Sequence, residues 1–177
     1  MAVLHIMKYL RNCLFLAEDL NNYVSDHVPG DVVGTILSQR HKGVDLILHY
    51  HSLGRIQKKI WPHINVIRMH KCGDAVIDNR DKFPDKYECF KIAETIVNAQ
   101  FAKGNIRYCL NIEYNKQKIY PEISDEERNA ALDDYISENN NRLMKPLLDR
   151  RDLKGAKTYT WATAVEKVKD RLIIQYF

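Results

Sequence analysis

Apolar and polar positions along the chain alternate between two periods, and the changes of period mark the elements. Cys13-Leu-Phe-Leu-Ala17 is continuously apolar and ends in Glu18-Asp19. A run this short and this apolar predicts a strand covered on both faces. Val44–Tyr50 and Ile64–Met69 predict two more strands. Between the first two, Val32, Val33, Ile36 and Leu37 fall on one side of a helix over Pro29–Arg40, closed by His41-Lys42-Gly43. Leu53–Ile60 predicts a short helix stopped by Pro62, and Val3, Leu4, Ile6, Met7 and Leu10 fit one face of another. Strand, helix, strand, short helix, strand is the order of a parallel sheet with helices on its faces. Ligands of such sheets gather at the carboxyl ends of the strands. Here those ends carry Glu18-Asp19, Tyr50-His51-Ser52 and His70-Lys71.

Downstream, Asp74–Lys82 is a charged loop. Pro84–Lys103 predicts a long amphipathic helix with Pro in its first turn and Gly104 at its end. Ile106–Tyr114 reads as a strand that forms a hairpin with Lys118–Tyr120 across Asn115–Gln117. Ser124-Asp-Glu-Glu127 is a capping box opening an acidic helix to about Asn140. Pro146 breaks the next segment, and Thr160–Ile174 predicts a last helix. The expected class is α/β, with a sheet-bearing domain over 1–121 and a helical extension over 122–177.

The 177 residues suffice for one domain of ordinary size, and 45% hydrophobic with 28% charged residues is normal for a soluble globular protein. No apolar run is long enough to span a bilayer, and the N-terminus lacks a secretory pattern. Cys13, Cys72, Cys89 and Cys109 lie far apart without paired spacing and predict reduced thiols of a cytoplasmic protein.

Leu14-Phe-Leu-Ala-Glu18-Asp19 resembles a Walker B strand, in which one carboxylate sits in the Mg²⁺ shell and its neighbour orients the attacking water. Helix capping or loop solvation by the two acids is the simpler reading. Arg40 and then Val44-Asp-Leu-Ile-Leu-His-Tyr-His51-Ser-Leu-Gly-Arg55 follow at a spacing similar to that of the HerA/FtsK superfamily of DNA-pumping ATPases. Within it, Asn12 to about Phe101 looks most like packaging-type and Zot-like ATPases of phages and mobile elements. The resemblance implies an incomplete RecA-like parallel sheet with Glu18 and Asp19 at metal (through water) and nucleophile, His51 as sensor, and Arg40 or Arg55 reaching a neighbouring subunit's nucleotide. It also implies Mg²⁺ and ATP as cofactors of the intact machine, DNA as partner, and a homo-oligomeric ring or a P-loop-bearing partner chain. The chain departs from the family in three ways. The acidic pair runs Glu-Asp, His replaces the usual amide sensor, and no Gly-x-x-x-x-Gly-Lys-Ser/Thr is present. The family's P-loop strand would lie between the second and third strands, so the expectation is a gene fragment, a split protein or a rearranged fold. Met1 lies only 12 residues before the Walker B strand, which favours truncation.

Two other readings stand beside this one. All seven histidines fall within residues 5–70, and His49 and His51 share a strand face near His63, His70 and Cys72. That set suits a small His-rich metal-binding protein, or scattered strand-end histidines. The net charge of +4 is also uneven. From Arg142 onward nine Lys or Arg stand against four Asp or Glu, a net +5, which leaves −1 for residues 1–141. Arg150, Arg151, Lys154 and Lys157, close to Tyr159 and Trp161, combine cations with stacking aromatics and suit a nucleic-acid-binding module. Alternatively they form a solvated loop, or pair with Asp149, Asp152 and the acidic helix Glu122–Glu138, with Trp161 packed in the core. Lys58, Lys59 and Trp61 offer the same choice.

Overall fold

The computed structural model describes residues 6–18, 34 and 38–177, with only the backbone of residues 39 and 40. Most of the helix expected over Pro29–Arg40, part of the one over Val3–Leu10, and Asp19 lie outside the described residues. The chain divides into two compact units, Met1–Ile64 with Cys72–Phe83, and Asn65–Lys71 with Pro84–Phe177.

In the first unit, β1 (Cys13–Ala17) pairs in parallel with β2 (Val44–Leu48), from Cys13 opposite Val44 to Ala17 opposite Leu48. The turn Gln39–Lys42 leads into β2, and Gly43 bridges them in the left-handed region at φ 66°. Leu53–Ile60, expected to be one helix, is a turn at Leu53–Arg55 followed by a separate one at Trp61–His63. Pro62 does not stop this second turn but sits inside its start, where a missing N–H costs nothing. Val76–Lys82, expected as loop, winds into a 3₁₀ segment that buries Val76 and Asn79.

In the second unit, β3 (Val66–His70), β4 (Cys109–Glu113) and β5 (Lys118–Tyr120) form an antiparallel sheet in that order. The expectation for β3 is corrected here: it is a strand, but it pairs antiparallel with β4 and is not the third member of a parallel sheet. The cause lies in its side chains. Val66, Arg68 and His70 face out while Met69 is buried, the period-two pattern of a half-covered antiparallel strand. The chain is thus mixed α/β, with a two-stranded parallel and a three-stranded antiparallel sheet among the described residues.

Helix α1 (Tyr87–Ala102) follows a 3₁₀ lead-in at Pro84–Lys86 and contacts all three strands. Its buried positions Cys89, Phe90, Ile92, Ala93, Ile96, Val97 and Gln100 recur every three or four residues, a stripe wide enough to cover Leu110, Ile112 and Ile119. Helix α2 (Asp125–Glu138) opens on the predicted capping box: Ser124 Oγ accepts from Glu127 N–H at 3.2 Å and Glu127 accepts back from Ser124 N–H. Two short helices follow, α3 (Asn140–Leu143) and α4 (Lys145–Leu148). Pro146 falls in the first turn of α4 and so starts a helix where a break was expected. Helix α5 (Trp161–Tyr176) buries Ala164, Val168, Leu172 and Tyr176, one residue per turn, and packs on α2. No described helix is long and apolar enough to cross a membrane.

Candidate nucleic-acid interface

The expected ATPase residues lie at the two ends of the β1–β2 pair. His49 N–H donates to Ala17 O at 3.0 Å, which carries the parallel ladder one residue past the end of β2. Exposed Glu18 therefore sits at the same end as His49 and His51, whose rings meet edge-on at 4.9 Å. The backbone of Arg40 lies in the turn before β2, at the opposite end from His51 of a five-residue strand about 16 Å long at ~3.3 Å per residue. Arg55 is exposed at the end of the turn after His51. Glu18 and His51 are thus brought to one end, Arg40 is not, and Asp19 lies outside the described residues. Among the described residues no group of three or more His, Cys, Asp or Glu is arranged to hold a metal ion.

What holds the segment after His51 is a carboxylate that sequence periodicity does not reveal. Asp74 accepts from Gly54 N–H at 2.7 Å, Ser52 O–H at 2.9 Å, Leu53 N–H at 3.2 Å and the Asn79 amide at 2.9 Å. Lys82 donates from the other side to the carbonyls of Gly54 and Ile56. Gly54 suits this approach, since a Cβ there would meet Asn79 Oδ1 at 3.0 Å and Asp74 Oδ2 at 3.2 Å and push both side chains back by a few tenths of an ångström. Burial pushes the Asp74 carboxyl up, but the donors from Gly54, Ser52 and Leu53 outweigh it and hold it below 3.8. A carboxyl lowered in the folded state contributes stability that is complete above its unfolded value and is lost as pH falls through the folded one. Asp74→Ala is expected to cost about 1–3 kcal/mol, the penalty of leaving buried donors unpaired. Amide hydrogen exchange at Leu53 and Gly54 should accelerate to match; unchanged protection would show that the clamp is not what holds this turn.

The second unit presents the basic segment as an ordered hairpin. Arg151 and Lys157 form an antiparallel bridge, Thr158 N–H donates to Arg150 O at 3.1 Å, and Asp152 N–H donates to Ala156 O at 2.9 Å. The tip closes on Asp152, whose Oδ1 accepts from the N–H groups of Lys154 at 2.8 Å and Ala156 at 2.9 Å. Gly155, at φ 82°, supplies the left-handed residue the turn needs. Leu153, at 107% of its reference exposure, projects fully into solvent beside Lys154.

The four cations Arg150, Arg151, Lys154 and Lys157 are all exposed, and none has an ion-pair partner among the described residues. The pairing with Asp149, Asp152 and the acidic helix is not formed: Asp152 points at backbone amides, while Asp125, Glu127 and Asp133 pair with Arg128, Lys103 and Lys169. Arg151 and Lys157 stand opposite each other, where like charges repel. The hairpin runs into the start of α5, fixed by reciprocal bonds between Thr160 and Thr163. There the Lys167 ammonium lies 5.3 Å from the Tyr159 ring, and Trp161 is 55% exposed, so the alternative of a core tryptophan does not hold.

The second basic and aromatic cluster behaves otherwise. Trp61 is buried against Phe83 with ring centroids 5.0 Å apart, and Lys58 pairs with Asp81 at 2.7 Å. Trp61 is a core residue and offers no stacking face. None of the four cysteines forms a disulfide among the described residues; Cys89 alone is fully buried, and burial pushes its thiol up to about 12, where it stays protonated. Compared with protein-family models, curated proteins and solved structures, the chain matches none.

Proposed function

We propose that this protein binds nucleic acid without catalysis, through the phosphate backbone, using the hairpin that carries Arg150, Arg151, Lys154 and Lys157. The observation that carries this reading is the charge without ion-pair partners among the described residues: four exposed cations on one ordered hairpin, two of them facing each other, with the Asp152 carboxylate committed to the turn. Such an arrangement is relieved by an anion with repeated charges, and DNA offers one every ~1.7 Å of duplex axis. Tyr159 and half-exposed Trp161 border the cations with rings. Phosphate contacts position a protein without reading sequence. Duplexes of unrelated sequence are therefore expected to bind with equal affinity in fluorescence anisotropy, and strong preference for one sequence would contradict a phosphate-directed interface.

A second reading, favoured by Glu18 and His51 lying at one end of a parallel strand pair, makes the chain part of a DNA-translocating or packaging ATPase with an incomplete RecA-like sheet. Mg²⁺ and ATP would then act in the intact machine, a ring or an assembly with a P-loop-bearing partner, because the chain has no Gly-Lys-Ser/Thr cradle of its own. The purified protein is expected to show no ATP turnover above background. Magnesium-dependent turnover abolished by Glu18→Gln or Asp19→Asn would raise this reading above the first.

A further inference from the structure

The outer face of the antiparallel sheet carries a second feature suited to a polynucleotide. One face of β3–β4–β5 packs on α1 through Met69, Leu110, Ile112 and Ile119, and the other carries the exposed Val66, Arg68, His70, Asn111 and Tyr120. On that outer face the register places Arg68 opposite Asn111 and Asn111 opposite Tyr120, one row across all three strands. With strands ~4.8 Å apart, the row spans about 10 Å, the scale of a nucleobase with its sugar. All three side chains are exposed, Tyr120 at 51%.

Neighbours orient the two ends of the row and leave its middle open. Arg68 Nε donates to Cys109 Sγ at 3.0 Å, and Tyr120 O–H donates to Glu113 Oε2 at 3.1 Å. Such side chains lose less freedom when a ligand arrives. The amide of Asn111 is exposed and has no hydrogen-bond partner among the described residues, so both its donor and its acceptor are available to a ligand. Charge points to the same class of ligand. Glu113 is paired with Lys116 at 2.8 Å, while Arg68 has no carboxylate partner among the described residues. A tyrosine face, an open amide and an uncompensated guanidinium in one row provide stacking, base-edge hydrogen bonding and phosphate attraction.

We infer that this face is a platform for single-stranded DNA, with a base stacked on Tyr120, its edge met by Asn111 and the backbone drawn to Arg68. The inference rests on the proposed nucleic-acid function and names the form of polynucleotide it takes. A duplex keeps its bases stacked inside and cannot use the platform. The platform and the hairpin lie at opposite ends of α5: Lys118 donates to Ile174 O near the last turn, and the hairpin enters at Trp161. At 1.5 Å per residue that is about 20 Å, far enough for their effects to be separable.

The test is fluorescence anisotropy of the full chain with a short oligothymidine and with a duplex. Tyr120→Ala is expected to weaken oligothymidine binding about tenfold and to leave duplex binding unchanged. Tyr120→Phe, which keeps the ring, is expected to restore most of the loss, and this separates stacking from damage to the fold. Unchanged oligothymidine affinity in Tyr120→Ala, or no restoration by phenylalanine, overturns the platform. Capture of a uridine ribonucleotide strand with no binding of oligothymidine overturns the choice of DNA. Tyr120-independent binding of both DNA forms removes the platform and leaves the hairpin standing. Tyr120-dependent oligothymidine binding with no duplex binding keeps the platform and removes the hairpin. Absence of all binding removes both.

Discussion

Glu88→Ala is expected to destabilise the second unit by about 2–6 kcal/mol, because it leaves two buried phenol O–H donors without their acceptor at roughly 1–3 kcal/mol each. Glu88 sits in the first turn of α1, where a carboxylate is favoured by the helix dipole. Its Oε2 accepts from Tyr176 O–H at 2.8 Å, and its Oε1 accepts from Tyr135 O–H at 3.3 Å and from Arg142 at 2.9 Å. Arg142 donates in turn to the Tyr135 oxygen at 2.6 Å. One side chain thereby ties α1 to α2, α3 and α5. Both phenols are pushed above their usual range, first by burial and then by the charge of Glu88 and the hydrogen bond to it, so they remain donors at all physiological pH. Half-exposed Arg142 adds little of its own. Urea unfolding followed by circular dichroism is the check. The same substitution made together with Tyr135→Phe and Tyr176→Phe should cost less than the separate changes added, since removing both partners of a buried bond is far milder than removing one. An unmoved midpoint in Glu88→Ala would mean the network is decoration on helix packing that stands without it.

How much of this was legible beforehand depended on the range of the interaction. The capping box at Ser124-x-x-Glu127, the hairpin across Asn115–Gln117 and the stripe on α1 all follow from residues within a few positions of one another, and they are present. The antiparallel pairing of β3 has a local signal that the run of apolar residues masks: Arg68 and His70 alternate with Ile67 and Met69, the pattern of a strand covered on one face. The Asp74 clamp and the Glu88 network were not legible. Asp74 meets Gly54 across 20 residues and Glu88 meets Tyr176 across 88, and no periodicity encodes such partners. The basic segment was visible as composition. Its closure by Asp152 and Gly155, and the absence of carboxylates on its cations, required the fold.

Duplex DNA affinity is expected to fall roughly a hundredfold between 50 and 200 mM salt, since four phosphate contacts give a slope of about −3 to −4 in log K against log salt. The steepness comes from counterions released as Arg150, Arg151, Lys154 and Lys157 replace them along the backbone, so it reports how many of the four engage. Replacing all four with alanine tests the account most directly. All four side chains are exposed, and the turn is closed by Asp152 and backbone bonds, so the hairpin should persist without them. In an anisotropy salt series the quadruple variant is expected to show a nearly flat curve as well as weaker binding. A quadruple variant that keeps the slope of the unmodified protein would contradict the account and place the DNA contacts elsewhere on the chain.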